Sequence, residues 1–240
     1  MNRILIDRKI NDLGTIKEDE IIITINQDCN FIINEPCFKK YVFNVLSGNI
    51  NILCTLSDCK ETNFEFNIDD GHIYFNQFSI NIEKQNIKTN LNKPNSTIKI
   101  NNSYISKKSC LIDIATYHKF SNTSSYVYNA ALTKDDGSVK LNVKTYVEKK
   151  KKNCIVDQDS KILSLNDTNE NEINPILLID EYESFAKHSA FIGKFNKDEM
   201  FYLKSRGIDE KSAIKLLVNG VLIGRLDIDS LEKENLIELI

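Results

Sequence analysis

The chain has no tryptophan and little glycine, proline or methionine: its 240 residues include 8 Gly, 3 Pro and 2 Met. It contains no glycine-rich phosphate loop, so we expect that this chain binds no nucleotide itself. It also contains no Gly-x-Ser-x-Gly elbow and no His-Glu-x-x-His helix. The sequence therefore gives no sign of the common hydrolase or metalloprotease sites.

Long apolar segments are also missing. No apolar run approaches the roughly 20 residues that a membrane-spanning helix requires. The N-terminal stretch MNRILIDRKIND lacks the apolar region of a signal peptide. We therefore expect a cytoplasmic protein that has no membrane partner.

An excess of charge of one sign is absent as well, since 31 Lys and Arg stand against 34 Asp and Glu, for a net charge of −3. Such a balance provides no general attraction to nucleic acid, and we expect no nucleic-acid partner. The one basic run, Lys149–Lys152, is predicted to be a solvated turn.

The six cysteines, at positions 29, 37, 54, 59, 110 and 154, are expected to be reduced thiols in the cytoplasm. Cys54 and Cys59 are separated by four residues. No second close pair or Cys/His cluster follows them at the spacing of a zinc site. Buried apolar thiols in a sheet are therefore the favoured interpretation.

Strand-like patterns dominate the chain from about residue 3 to residue 183, where short β-branched or aromatic runs are separated by Asn, Asp, Ser and Gly. The runs are Ile21–Ile25, Phe31–Ile33, Tyr41–Val45, Ile50–Leu56, Phe64–Ile68, His72–Phe75, Phe78–Ile82, Thr97–Ile100, Cys110–Ala115, Tyr126–Leu132, Ser138–Val143 and Ile176–Ile179. Polar and apolar residues alternate clearly in NFEFNI (63–68) and in SVKLNVKTYV (138–147). The pattern predicts an all-β body of about a dozen or more short strands.

Periodicity alone does not separate a sandwich, a barrel and a parallel β-helix. Within the β-patterned region, only Asp70-Gly71 and Asp136-Gly137 are hairpin turns of the Asn-Gly or Asp-Gly kind. This scarcity favours a β-helix, and so does the abundance of Asn, whose side-chain amides can form ladders at the turns of stacked rungs. The sequence has no clean repeat, however, so all three folds stay open on this ground.

After residue 195 the pattern becomes helical. Asn196 is a good N-cap, with Glu199 at the third helical position. Gly207 follows the last turn as a left-handed C-cap, and Ile208 can reach back to Leu203 as in a Schellman motif. These signals predict one short helix.

Two further helices follow, capped by Asp209 and by Asp229. The apolar residues predicted for them are Ile214, Leu217, Val218 and Val221 in the second helix and Leu231, Leu236, Ile237 and Ile240 in the third. Short helices bury little by themselves, so these must pack on the β-body or on another protein. We therefore predict a β-domain over residues 1–193 and a helical domain over residues 194–240.

Three segments resemble one family, the SufB/SufD scaffold proteins of iron–sulfur cluster assembly. They are IATYHKFSNTSSYVYNAAL (114–132), DSKILSLNDTNENEINPILLID (159–180) and KHSAFIGKFNKDEMFYLKSRGI (187–208). The most specific piece is FYLKSRGI, at 201–208, which matches the family nearly letter for letter. The resemblance can be followed over residues 114–222, nearly half of the chain.

The resemblance implies a right-handed parallel β-helix that carries a small C-terminal helical domain. It further implies a scaffold that is not an enzyme, which pairs as a homodimer or with a SufB-like partner and docks a SufC-type ATPase. A transient iron–sulfur cluster is the cofactor that the resemblance implies. The residues expected either to meet this ATPase or to pack the tail on the β-body are Phe201, Tyr202, Leu203, Arg206, Gly207, Ile214 and Leu217.

His188 falls on the family's histidine at the end of the β-helix, so the resemblance makes it the candidate metal ligand. It could instead only satisfy a subunit contact or cap a strand. SufB-type scaffolds carry a cysteine near Gln158 and an acidic residue beside the histidine. Here the neighbours of His188 are Lys187 and Ser189, so the pattern is nearer to SufD.

Cys154 and His118 are the remaining candidates for the cluster or for a subunit interface. Cys154 lies four residues before Gln158, which displaces it about 13 Å along a strand, so it could also be a structural thiol. His118 lies within a strand pattern beside Thr123, where it could equally be a satisfied core histidine.

Two other functions stay open. The chain could be a degenerate family member that is kept for protein interaction and binds no cluster. It could also be a β-helical carbohydrate-active enzyme, although it has neither an export signal nor a tryptophan for sugar stacking.

Overall fold

Two parallel sheets face each other along most of the chain, and three helices follow them. The computed structural model describes residues 3–5, 14–17, 19–34, 38–166 and 168–240, and for residues 3–5 and 14–17 it describes the backbone alone. Cys37 lies outside the described residues.

The element bounds define the order of the fold. The strands are β1 Arg3–Leu5, β2 Gly14–Lys17, β3 Glu20–Ile25, β4 Cys29–Asn34, β5 Lys40–Val45, β6 Asn49–Ser57, β7 Glu61–Ile68, β8 His72–Ile80, β9 Lys84–Leu91, β10 Thr97–Ser106, β11 Ser109–His118, β12 Ser124–Thr133, β13 Ser138–Val147, β14 Ile155–Ser164, β15 Glu172–Ile179 and β16 Phe185–Gly193. The helices are α1 Lys197–Ser205, α2 Glu210–Leu222 and α3 Ser230–Glu238.

Successive strands alternate between the two sheets. The first sheet has the order β1-β4-β6-β8-β10-β12-β14-β16, and the second has the order β15-β13-β11-β9-β7-β5-β3-β2. Every described strand pair is parallel except β2 with β3. The chain thus coils into a parallel β-solenoid of about 6 turns, which confirms the predicted β-helix over a sandwich or a barrel.

The turns of the solenoid lengthen along the chain. Asn51 hydrogen-bonds to Asn30 of the preceding rung, 21 residues earlier, whereas Asn174 hydrogen-bonds to Asn142, 32 residues earlier. The strands lengthen too, from 6 residues in β3 to 10 in β14. Because this spacing grows from 21 to 32 residues along the chain, the sequence shows no constant period.

Side-chain amides do form ladders between rungs. Asn67 donates to Asn44 (2.9 Å) and accepts from Asn90 (2.8 Å), while Asn86 donates to Asn63 (2.7 Å). The prediction put such ladders at turns, and the Asn153 amide does donate to Asn122 there (3.1 Å), whereas these five residues lie within strands. Parallel strands in register place identical side chains beside each other, so each amide satisfies its neighbour.

The turns between rungs use single residues in the left-handed conformation, so hairpin sequences such as Asn-Gly are scarce. Asn95, Asn122 and Asn153 have φ angles of 66°, 58° and 57° and precede β10, β12 and β14. Asparagine tolerates this conformation better than most residues. The backbone N–H of Asn95 donates to the carbonyl of Asn122 (2.8 Å), so the turns stack like the strands.

Aromatic rings fill the interior of the early rungs. Tyr41 stacks on Phe64 with ring centroids 5.1 Å apart, and Phe43 stacks on Phe66 at 5.6 Å. Phe75 of the opposite sheet contacts Phe64 at 5.0 Å. Such burial and ring packing supply the main apolar stabilisation of this end of the solenoid.

Five strands were not predicted as strands: β1, β2, β9, β14 and β16. Strand β9 was not recognised because polar residues occupy its interior positions. Gln85, for example, exchanges two hydrogen bonds with Gln77, both at 2.9 Å. The runs His72–Phe75 and Phe78–Ile82 were predicted as two strands. They are mostly one strand, β8, because Gln77 continues the interior row.

The helices pack on the outer face of the first sheet. The buried apolar residues that join the two parts are Phe78, Ile105, Ala130, Leu132 and Leu163 from the sheet and Val218, Leu222, Ile223, Leu226 and Leu236 from the tail. Ser103 of β10 also donates a hydrogen bond to the carbonyl of Leu222. The tail thus packs on the β-body, as its short helices require.

The helix caps have the predicted residues. Asn196, Asp209 and Asp229 each accept a backbone N–H from the first turn of their helix. Gly207, at φ 82°, ends the first helix, and the N–H of Ile208 donates to the carbonyl of Leu203 (3.2 Å).

The apolar pattern of the third helix is only partly buried. Leu236 is buried, whereas Leu231 is 65% exposed. The last strand ends at Gly193 and the first helix begins at Lys197. The division of the chain into two domains stays a prediction.

Candidate functional site

The candidate site lies at the end of the solenoid, on strand β16. Among the described residues, β16 is the terminal strand of the first sheet. His188 on this strand pairs in register with Gln158 of β14. Residues in register share a face, so His188 lies on the interior side of the last rung, beside Gln158. No further described rung covers it, and His188 is exposed.

The outer edge of β16 has unpaired backbone groups. The N–H of Phe185 donates to the carbonyl of Cys154 (2.9 Å), towards β14. In a parallel pair, alternate residues bond to one neighbour and the residues between them face the other side. The backbone groups of His188 and Ala190 therefore lie at the free edge, where a further strand could pair.

Two carboxylates lie on the other face of the same rungs. Asp157 pairs with Lys187 (3.0 Å), and Asp159 accepts a hydrogen bond from Ser189 (2.6 Å). Both lie on β14 and line a cleft of about 600 Å³. His188 and Gln158 also line this cleft, although the alternation of the strands assigns their side chains to the opposite face.

An arginine from the helical tail closes this cleft. Arg225, in the connection between α2 and α3, pairs with Asp159 and lies over the ring of Tyr128 at 5.2 Å. The Tyr128 hydroxyl donates to Asp157 (3.1 Å). Burial, with the neighbouring Asp157 carboxylate, raises the pKa of Tyr128 to about 12.

Sequence reasoning missed this polar junction. Its signals were the Asp-x-Asp spacing of Asp157 and Asp159, which puts both carboxylates on one face of a strand, and the isolated Arg225 between two helical patterns. Neither spacing is specific enough to predict a contact across the fold.

Cys154 is buried and does not meet His188. It precedes β14, and its thiol donates to the carbonyl of Lys151 (3.3 Å) and lies 3.4 Å from the Thr123 hydroxyl. His188 pairs with Gln158, four residues further along, so the two candidates are about 13 Å apart along the strand direction.

His118 is brought together with Cys154 instead. Its Nδ1 lies 2.7 Å from the Thr123 hydroxyl, which also contacts the Cys154 thiol, and its Nε2 lies 2.8 Å from the Ser125 hydroxyl. Both ring nitrogens are engaged in a buried network, as in a satisfied core histidine. Burial lowers the pKa of His118 to about 4.

We predict that His118 makes the fold sensitive to acid. The folded state holds the imidazole neutral, whereas the unfolded chain takes up a proton near pH 6.5. The stabilisation is therefore fully present above about pH 6.5 and is lost as the pH falls towards 4, at a cost of about 3 kcal/mol. Urea unfolding of wild type and His118→Gln across this range measures the effect.

The variant is expected to be less stable at pH 7, because it loses two buried hydrogen bonds. Its free energy of unfolding should then fall less steeply with acid than that of the wild type. Parallel curves for the two proteins would contradict the assignment, because other groups would then account for the whole pH dependence.

The part of the chain that the structure describes contains no group of three or more His, Cys, Asp or Glu side chains that could hold a metal ion. His188 thus belongs to no such group among those residues. The five described cysteines are free, and burial raises the pKa of the Cys110 thiol to about 12. The metal role of His188 stays a prediction.

The first helix exposes two aromatic side chains. Phe201 is 75% exposed and Tyr202 is 57% exposed, and the Arg206 guanidinium lies 5.3 Å from the Tyr202 ring centre. Leu203 is half-buried, and Gly207 is exposed. None of the described residues of α1 is buried, so most of this helix is free to meet another protein.

The other two candidates for partner binding lie on α2. Ile214 packs against the apolar cluster that joins the tail to the sheet. Leu217 is half-buried and lines a shallow apolar surface together with Tyr202 and Leu203. Ile214 therefore helps to attach the tail, while Leu217 continues the surface of α1. Among the described residues, no helix is long and apolar enough to cross a bilayer.

Comparison with known proteins finds that this chain is similar to one protein family. A family model described as "SUF system FeS cluster assembly, SufBD core domain" matches residues 62–221. This match begins further upstream than the resemblance of the sequence motifs, so it includes most rungs of the solenoid and helix α2.

Individual relatives agree with the family model. The chain is 30% identical over 115 residues to the iron–sulfur cluster assembly protein SufD of Bacillus subtilis, which covers 47% of this chain and 26% of that protein. It is 30% identical over 128 residues to an iron–sulfur cluster assembly SufBD family protein of Pyrococcus horikoshii, covering 52% of this chain and 28% of that protein. The chain thus spans about a quarter of the length of the curated relatives it matches.

Proposed function

This chain belongs to the SufBD family of SUF-system iron–sulfur cluster assembly proteins, and from this membership we propose that it is a scaffold or accessory subunit of a SUF-type assembly complex. It acts in the cytoplasm and is not itself an enzyme. A SufC-type ATPase supplies the hydrolysis, and this chain binds no nucleotide.

The observation that carries the proposal is the position of His188 on an exposed terminal strand with a free edge. A second subunit that pairs with this edge would lie beside the imidazole and could bring further ligands to it. The exposed side chains Phe185, Phe191 and Ile192 on the same strand support such pairing. The partner is a second copy of this chain or a SufB-like subunit.

Helix α1 supports the proposed ATPase contact. Exposed aromatic residues such as Phe201 and Tyr202 are enriched at the centres of protein interfaces. The half-buried Leu203 and Leu217 extend the same surface across both helices. The ATPase would therefore bind this surface, which lies away from the apolar contact between the tail and the solenoid.

A cluster held at the subunit contact is the further part of the proposal. His188 would supply one neutral imidazole nitrogen as a ligand, and the remaining ligands would come from the partner or from the cluster donor. In the alternative, the chain serves for interaction alone and binds no cluster. Gln158 favours this alternative, because an amide stands where a thiolate would be a better ligand.

We predict that His188→Ala lowers the iron and sulfide bound after anaerobic reconstitution with the cognate ATPase. Loss of the imidazole should reduce bound iron by more than half, since metal ligands are rarely replaced by water without loss of affinity. The measurements are iron content and visible absorption. His72→Ala, which changes a histidine at the start of β8, is the matched control.

Equal iron content in wild type, His188→Ala and His72→Ala would contradict the ligand role of His188, and a wild type that binds no iron would favour the alternative without a cluster. Iron in the wild type that falls only in His188→Ala would support the ligand role.

A further inference from the structure

One carboxylate of β14 holds both the terminal strand and the helical tail. Asp159 accepts a hydrogen bond from Ser189 of β16 (2.6 Å) and pairs with Arg225 of the connection between α2 and α3. We propose that this junction is a latch through which the position of the tail controls the order of β16, the strand that carries His188.

Strand β16 has few contacts that could order it otherwise. Seven of its nine residues are exposed, because it ends the described solenoid. Besides the backbone ladder, two further side-chain contacts join it to β14. They are the Lys187–Asp157 ion pair (3.0 Å) and the Lys161 ammonium over the Phe191 ring (5.3 Å). A strand held by so few side-chain contacts opens at low cost in free energy.

A second route joins Arg225 to the same strand. Its guanidinium lies over Tyr128, whose hydroxyl donates to Asp157, and Asp157 is the ion-pair partner of Lys187 on β16. Hydrogen bonds in such a network strengthen one another, and charged partners make them stronger than neutral ones. Arg225 thus reaches two carboxylates that hold β16: Asp159 directly, and Asp157 through Tyr128.

The residues around Arg225 make it move with the tail. Leu226 is buried in the apolar cluster between tail and sheet. The N–H of Asp227 donates to the Asn76 amide oxygen (2.8 Å), and the Asn76 amide donates to the Asp227 carbonyl (3.2 Å). Lys99 also pairs with the Asp227 carboxylate (3.3 Å). A shift of the connection would therefore carry Arg225 away from Asp159.

The latch has a direct consequence for assembly. A partner that binds α1 and displaces the tail would withdraw Arg225 from Asp159 and loosen β16 at the subunit contact. This regulatory role rests on the proposed function, whereas the coupling between Arg225 and β16 is a property of the chain alone.

Hydrogen exchange of the full chain tests the coupling without any partner. Arg225→Gln, Asp159→Asn and the double variant are compared with wild type by following the β16 amides, with the β8 amides as an internal reference. The latch predicts that each single variant speeds exchange in β16 by roughly tenfold and leaves β8 unchanged. The double variant should exceed either single variant only slightly, because both remove the same contact.

Lys152→Gln is the matched control, since the Lys152–Glu183 ion pair (2.6 Å) joins the same two rungs without touching the tail. It should leave β16 exchange within about twofold of wild type. Unchanged exchange in β16 for Arg225→Gln, or an equal rise in β8, would overturn the latch. Since no ATPase or cluster takes part, failure here leaves the proposed function standing, and failure of that function leaves this result standing.

Discussion

Replacing both Phe201 and Tyr202 by alanine is expected to lower the affinity of this protein for a SufC-type ATPase by about a hundredfold or more. Both side chains are largely exposed, and aromatic residues at the centre of an interface commonly contribute about 2 kcal/mol each or more. The double variant should fold normally, because α1 buries no residue against the solenoid. Isothermal titration of the purified proteins measures the affinity.

The control is Leu231→Ala, which removes an exposed apolar side chain from α3. It should bind the ATPase as the wild type does. An unchanged affinity in the Phe201/Tyr202 variant would place the contact elsewhere, and equal losses in both proteins would indicate non-specific apolar binding.

Replacing Ala190 by proline is expected to convert a dimer into a monomer. The backbone of Ala190 lies at the free edge of β16, so proline removes an N–H that a partner strand would need but keeps the ladder with β14. The measurement is the mass in solution, where the chain has 27.6 kDa and the wild type should show twice that value.

Ala190→Ser provides the matched control, since it retains the N–H and the small side chain and should remain dimeric. Circular dichroism and thermal unfolding of both variants show whether the solenoid is intact. A folded Ala190→Pro variant that keeps the dimer mass would exclude edge pairing through β16. A wild type that is monomeric by itself would point instead to the SufB-like partner, and the same variants then test that pairing.

Much of the helical tail could be predicted from the sequence because its signals are local. A helix cap involves residues within one turn, so Asn196, Asp209 and Gly207 are recognisable without knowledge of the fold. The burial of an apolar side chain depends on residues that are distant in the sequence, and the prediction of burial was less accurate. Leu231 fits the apolar pattern of α3 but remains exposed, because the solenoid meets the opposite side of that helix.

The β-body was harder to predict because its rungs differ in length. Most strands were recognised from alternating residues, but β9, β14 and β16 carry polar residues on their interior faces. Gln85 and Gln158 each donate a hydrogen bond to a partner on the facing strand, which a single sequence does not reveal. The parallel arrangement itself came from the family resemblance rather than from periodicity.

The candidate site, too, could be predicted from the sequence only in part. His188 was found through a family motif and lies on β16, the terminal strand of the first sheet among the described residues, and its role as a ligand stays a prediction. Asp159 and Arg225 are 66 positions apart in the sequence and meet only because the tail folds back on the first sheet. No local pattern could have predicted that contact.

The proposed function requires that the wild-type chain associates with a SufC-type ATPase of its own genome. Sedimentation velocity of the two proteins, mixed at about 10 µM, distinguishes a complex from free components if the affinity is micromolar or better. The account predicts a joint boundary that contains both proteins and that disappears with the Phe201/Tyr202 variant. Two independent boundaries, with and without ATP, would contradict it.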